Sequence, residues 1–151
     1  MNLDRYGGPT LSLFRIVVGL MFLQHGVAKV FGLFGGAGGN GEIVAFGAWP
    51  GFWSAMVELG CGSLVALGLF ARIAAFLASG TMAYAYFTAH QPLGLVPFEN
   101  HGELAAMYSW AFLLIFVLGP GTWALDTIIR RRSGANAEQS ADQRENVGRR
   151  A

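Results

Sequence analysis

Charge is the first thing this sequence lacks. Asp, Glu, Lys and Arg make up 13% of its 151 residues, where an ordinary soluble domain carries roughly 25%. The charges it does have crowd the end. Glu138, Asp142, Arg144, Glu145, Arg149 and Arg150 lie beyond residue 132, just after Arg130, Arg131 and Arg132. The rest of the chain is therefore more apolar than its mean hydropathy of +0.46 conveys. The formal net charge is only +1, and no basic patch is interleaved with aromatics, so no nucleic-acid partner is expected. Cysteine is almost absent too. Cys61 stands alone, which excludes an intramolecular disulfide, a CxxC redox pair and a Cys-rich zinc or iron–sulfur site. Any redox role would need a bound cofactor or a partner. The first apolar run makes a poor cleavable leader, because Arg15 interrupts it and no clean small-x-small site follows; it is expected to be retained. The alternating strands of an outer-membrane barrel do not occur.

What the sequence has is long apolar segments, at residues 11–34, 51–70, 71–90 and 103–119. Each suits a helix crossing a bilayer, which takes about 20 residues at 1.5 Å rise. In lipid the backbone must bond within its own segment, which favours helices. The expected fold class is all-α: an integral membrane four-helix bundle, up-down-up-down, over residues 11–132. A short segment 1–10 precedes it. A surface helix 122–132, anchored by Trp123, follows the "GPG" stop. The polar stretch 133–151 is expected to be disordered. "GGAGGNG" contains a formal GxGxxG at Gly36, Gly38 and Gly41. It follows a helix and no strand, so it does not read as a dinucleotide site. Arg5, Arg72 and the Arg130–Arg132 run fall on one side of such a bundle, which puts both termini in the cytoplasm.

The chemistry sits in a few polar residues inside apolar helices. Arg15, Val18, Phe22, His25 and Lys29 form one stripe of the first helix. Intramembrane ionisable residues face a bundle interior and pair with something. His25 and Lys29 lie about 21 and 27 Å along the helix from Leu11. Glu58 lies about 10 Å from the start of the second helix, near the same level. His90 ends the third helix and Glu103 begins the fourth on that side. His25, Lys29, Glu58, His90 and Glu103 thus form a candidate ligand or proton site, with Asn100 and His101 at its rim. Packing with Lys29 reaching outward to water is the structural reading of the same residues. On the pairing reading, loss of Glu58 is expected to harm more than loss of Lys29. Arg15, near the opposite end, is expected to pair with Asp126. Cys61 shares the Glu58 face but reads as a small buried hydrophobe.

The stretches "LFRIVVGLMFLQHGVAKVFG", "VELGCGSLVALGLFAR", "NHGELA" and "GPGTWALD" resemble the DoxX family of small four-helix bacterial membrane proteins, over about residues 11–129. The resemblance implies a multi-pass protein of the bacterial cytoplasmic membrane. It also implies a link to redox biology, since relatives are described as the small subunit of a thiosulfate:quinone oxidoreductase and as part of a membrane oxidoreductase complex. Arg15, His25, Gly26, Lys29, Glu58, Gly102, Glu103, Gly119, Pro120 and Asp126 fall on the family's recurrent pattern, which supplies no established catalytic residues to transfer.

Four functions compete. An accessory or quinone-interacting subunit of a membrane redox complex fits a ring held between helices by His25, Glu58 and His90. A transporter or permeability factor would use the cluster as a path, but the other half offers only Arg15 and Asp126. Haem ligation by His25 and His90 is disfavoured, since their levels differ by about 6 Å, and a zinc site has less support still. A purely structural scaffold is the fourth. No autonomous catalytic motif is present, and the first reading is preferred.

Overall fold

Glycine and proline set the helix boundaries. The structure is a computed structural model that describes residues 3–130. After a 3-10 turn at Asp4–Tyr6, helix α1 runs Gly7–Phe31, with Pro9 in its first turn, where a missing N–H costs nothing. It begins four residues before the expected span. Gly32 ends it in the left-handed region at φ 69°, its N–H donating to the Ala28 carbonyl, the usual glycine stop. A loop, itself carrying a 3-10 turn at Leu33–Gly35, leads to α2, Gly51–Leu67. Gly68 stops α2 at φ 73°. Helix α3 runs Ala71–Ala85, continues as a π turn over Tyr86–His90, and closes with a 3-10 turn at Gln91–Leu93. Helix α4 spans Glu103–Leu118 and ends at Gly119 and Pro120. A short helix, α5, occupies residues 125–130. No strand occurs among the described residues. The expected tail at 133–151 lies outside the described residues, as does the end of the surface helix.

Small residues allow the helices to meet. An ideal Cβ on Gly19 would lie 2.6 Å from the Ala66 nitrogen, and one on Gly26 would lie 2.7 Å from the Leu59 nitrogen. Across the same contact, one on Gly62 would lie 2.7 Å from the Leu23 nitrogen. Helices α1 and α2 therefore touch backbone to backbone. Helix α3 offers Ala71, Ala74, Ala75, Ala78 and Met82 as its buried face, at helical spacing. Phe22, Val65, Phe112 and Ile115 fill the space between. Small residues at contacts are what helices use where packing, not water, drives association.

The outward faces are the large apolar ones. Leu20, Ile73, Phe76, Trp110 and Val117 are all more than half exposed. An apolar exterior of this extent marks contact with a membrane or a partner. By length and composition, the helical stretch Asp4–Phe31 suits a membrane crossing. Helices α2 and α4 are apolar but shorter, 17 and 16 residues, because Gly68 and Gly119 cut them off before the expected ends.

Candidate functional site

One turn of α1 and one of α2 build the polar centre. Lys29 and His25 sit four apart on α1; Ser54 and Glu58 sit four apart on α2, so each pair shares a face. The Lys29 ammonium donates to Glu58 Oε1 at 2.5 Å and to Ser54 Oγ at 3.3 Å. The Ser54 hydroxyl also donates to Glu58 Oε1, at 3.0 Å. All three bonds involve Oε1 or Ser54. Glu58 Oε2 is buried and has no hydrogen-bond partner among the described residues. The Glu58 side chain is 3% exposed, whereas that of Lys29 is 28% exposed.

Helix α4 supplies the opposite wall. Tyr108 is buried against Phe22, stacked on Phe112 at 5.9 Å, and met edge-on by the His25 ring at 5.8 Å. Its hydroxyl is the second buried oxygen with no partner among the described residues. Between these walls lies a cavity of about 220 Å³ that Glu58, Tyr108, His25, Lys29, Phe22 and Met82 border, with His90 and His101 above.

The roof is pinned by Asn100, which is 1% exposed. Its amide donates to the Gly94 carbonyl at 2.7 Å, and its Oδ1 accepts the Gly102 N–H at 2.8 Å. Its own carbonyl lies 3.1 Å from His90 Nδ1. Gly102 is required there, since a Cβ would meet Asn100 Oδ1 at 2.6 Å and His90 Cβ at 2.8 Å. The π turn carries Tyr86 and His90 into this arrangement, their rings stacked at 6.5 Å.

His25, Lys29, Glu58 and His90 thus border one cavity, and Glu103 does not. Glu103 is exposed and lies in a separate depression with Phe98, His101, Leu104 and Met107. The reason is rotation. The inward stripe of α4 is Ala105, Tyr108, Phe112 and Ile115; Glu103 stands two residues before it, about 200° around the helix. Ser54 and Tyr108 are the residues the sequence reading misses. Ser54 carried a signal, its spacing of four from Glu58, but Tyr108 could not be told from a packing aromatic.

At the opposite end, the expected Arg15–Asp126 ion pair is replaced by two sets of backbone bonds. The fully buried Arg15 guanidinium donates to the carbonyls of Pro120 at 2.8 Å, Ala66 at 2.6 Å and Val65, with Trp123 more distant at 3.4 Å. Asp126 accepts the Phe70 and Ala71 N–H groups, each at 3.0 Å. The free carbonyls ending α2 and the free N–H groups starting α3 outcompete direct pairing.

The described residues contain no group of three or more His, Cys, Asp or Glu placed to hold a metal ion. The family model for DoxX matches residues 10–91. The chain is 41% identical over 132 residues to an uncharacterized protein of Haemophilus influenzae, covering 83% of this chain and 94% of that one. It is 32% identical over 143 residues to an uncharacterized membrane protein of Mycobacterium tuberculosis, covering 85% and 86%. No solved structure matches the chain.

Proposed function

The chain belongs to the DoxX family, and from that premise we propose a membrane-embedded four-helix bundle that holds a quinone-type ring beside Glu58. In this role it serves as an accessory subunit of a redox complex in the bacterial cytoplasmic membrane. The bundle runs up-down-up-down. Gly19 meets Ala66 while Gly26 meets Leu59, so chain direction reverses between α1 and α2. Arg72 and Arg130 border one hollow with Asp126, at the end where the positive-inside rule puts the cytoplasm.

One observation carries the ring: the cavity is bordered by two buried oxygens without partners, Glu58 Oε2 and Tyr108 Oη. An unmade buried hydrogen bond costs about 1–3 kcal/mol, so both atoms favour a polar ligand. Their chemistry is complementary. The Tyr108 hydroxyl can donate to a ring carbonyl, and the Glu58 carboxylate can accept from a ring hydroxyl. Such a ring carries electrons and protons together as it passes between its carbonyl and hydroxyl forms. Lys29 and Ser54 fix Oε1 and leave Oε2 for the ligand. His25 borders the same space, and its ring nitrogens can hydrogen-bond a ring oxygen. A polar path across the membrane is less favoured, because Arg15 and Asp126 are both engaged with backbone.

The test is purification in mild detergent, with absorbance and mass spectrometry of the extracted small molecules. Quinone should accompany the wild-type protein and be depleted in Tyr108→Phe and Glu58→Gln. A preparation free of quinone that also fails to bind added quinone sinks the reading.

A further inference from the structure

We infer that the ligand beside Glu58 is two-part, a ring with an alkyl or isoprenoid tail, and that the tail lies in an open groove between α2 and α3. This rests on the ring reading above. The groove holds about 570 Å³ and is bordered by Trp53, Val57, Phe76, Leu77, Gly80 and Tyr84. It shares Lys29, Ser54 and Ala85 with the ring cavity, so the Lys29–Ser54 contact is the partition between the two spaces.

Four further observations favour a tail. At about 220 Å³ the cavity falls below the ~300–1,000 Å³ usual for a small-molecule site, so it has room for a ring and not for a chain. The groove is apolar away from the partition. Its Thr81 and Thr88 hydroxyls donate back to the carbonyls of Leu77 and Tyr84, so these residues have no free hydroxyl hydrogen to offer a ligand. Gly80 is the third. Glycines 19, 26 and 62 are filled against backbone, but a Cβ on Gly80 would have nothing within 4 Å. Gly60, outside the groove, is equally open, so Gly80 favours a tail only by leaving room along the groove wall. Residues 76–89 of the groove wall extend about 20 Å, the dimension of a chain and not of a second ring.

The experiment titrates the purified full chain in detergent with two benzoquinones of identical ring, one without a tail and one with a decyl tail, using calorimetry. Wild type is compared with Gly80→Ala and Gly80→Leu. All three proteins share one micelle, so tail partitioning cancels between them. Gly80→Leu should weaken the tailed compound by about tenfold, or about 1.4 kcal/mol, and leave the tail-free compound within about twofold. Gly80→Ala should fall between, and it carries the comparison if the leucine variant does not fold. Equal weakening of both compounds, or of neither, overturns the tail assignment while the ring reading stands. Failure of wild type to bind either compound overturns the ring reading and the tail assignment together.

Discussion

Cutting the Lys29–Glu58 pair from its two ends should give unequal results. Lys29→Ala leaves a carboxylate that is 3% exposed, with only the Ser54 hydroxyl at 3.0 Å. Glu58→Ala leaves an ammonium that is 28% exposed, still near Ser54 and able to turn toward water. Removing one partner of a buried pair costs about 3–5 kcal/mol. The partial exposure of Lys29 places Lys29→Ala near the low end, at about 3 kcal/mol. Glu58→Ala loses charged hydrogen bonds without stranding a charge, a cost of about 1.5 kcal/mol. The order is the reverse of the one expected from the sequence. The cost lies in the group left behind, and a stranded Glu58 carboxylate is the more deeply buried of the two. The double variant Lys29→Ala with Glu58→Gln removes the stranded charge and should recover about 1–2 kcal/mol relative to Lys29→Ala. Unfolding in detergent, followed by far-UV circular dichroism, would measure all three. If Lys29→Ala is no worse than Glu58→Ala, or the second substitution fails to rescue, the reasoning is refuted.

Asp126→Ala should cost about 1–2 kcal/mol in the same assay, since it uncaps the Phe70 and Ala71 N–H groups; Asp126→Asn should recover part of that. Gly62→Ala should cost about 3 kcal/mol or abolish folding, because its Cβ would lie 2.7 Å from Leu23 backbone. Gly60→Ala, with open space at its Cβ, should stabilise the chain by up to about 1 kcal/mol. Tyr108→Phe removes a hydroxyl that has no partner among the described residues. It should leave the ligand-free protein at least as stable while weakening quinone binding; a clear loss of stability without ligand would argue that the hydroxyl has a structural bond.

The presence of the helices and the end of the fourth are legible in this sequence, because they depend on apolar runs and local stop chemistry. The GPG stop at Gly119 is read correctly, whereas Gly32 and Gly68 end α1 and α2 three residues before the expected ends. Depth is legible too. At 1.5 Å per residue Glu58 falls near the level of His25 and within reach of Lys29, and the Lys29 and Glu58 side chains meet at 2.5 Å. Rotation is less so. Glu103 lies at the right height and on the wrong side of α4, because the low contrast of a helix apolar all round hides its inward face. The corner near Arg15 fails for another reason. Charge complementarity suggested Asp126, but the competing partners are backbone groups, which appear in no residue code. The π turn at Tyr86–His90 likewise left no sequence signal, although it carries His90 into the roof.

That corner also governs how the molecule can move. Arg15 ties α1 to the last carbonyls of α2 and to the segment after α4. Asp126 ties that segment to the start of α3, and Arg72 ties α3 to the carbonyls of Phe116 and Val117 at the end of α4. All four helices are stapled at one end. The cavity lies toward the other, where the Lys29–Ser54–Glu58 contacts hold α1 to α2 and Asn100 holds the π turn to the start of α4. A set of rods clamped at one end is a tweezer. A tilt at the corner would be magnified toward the tips, so the contacts at Glu58 and Asn100 are the ones on which the proposed entry of a lipid-borne ring depends.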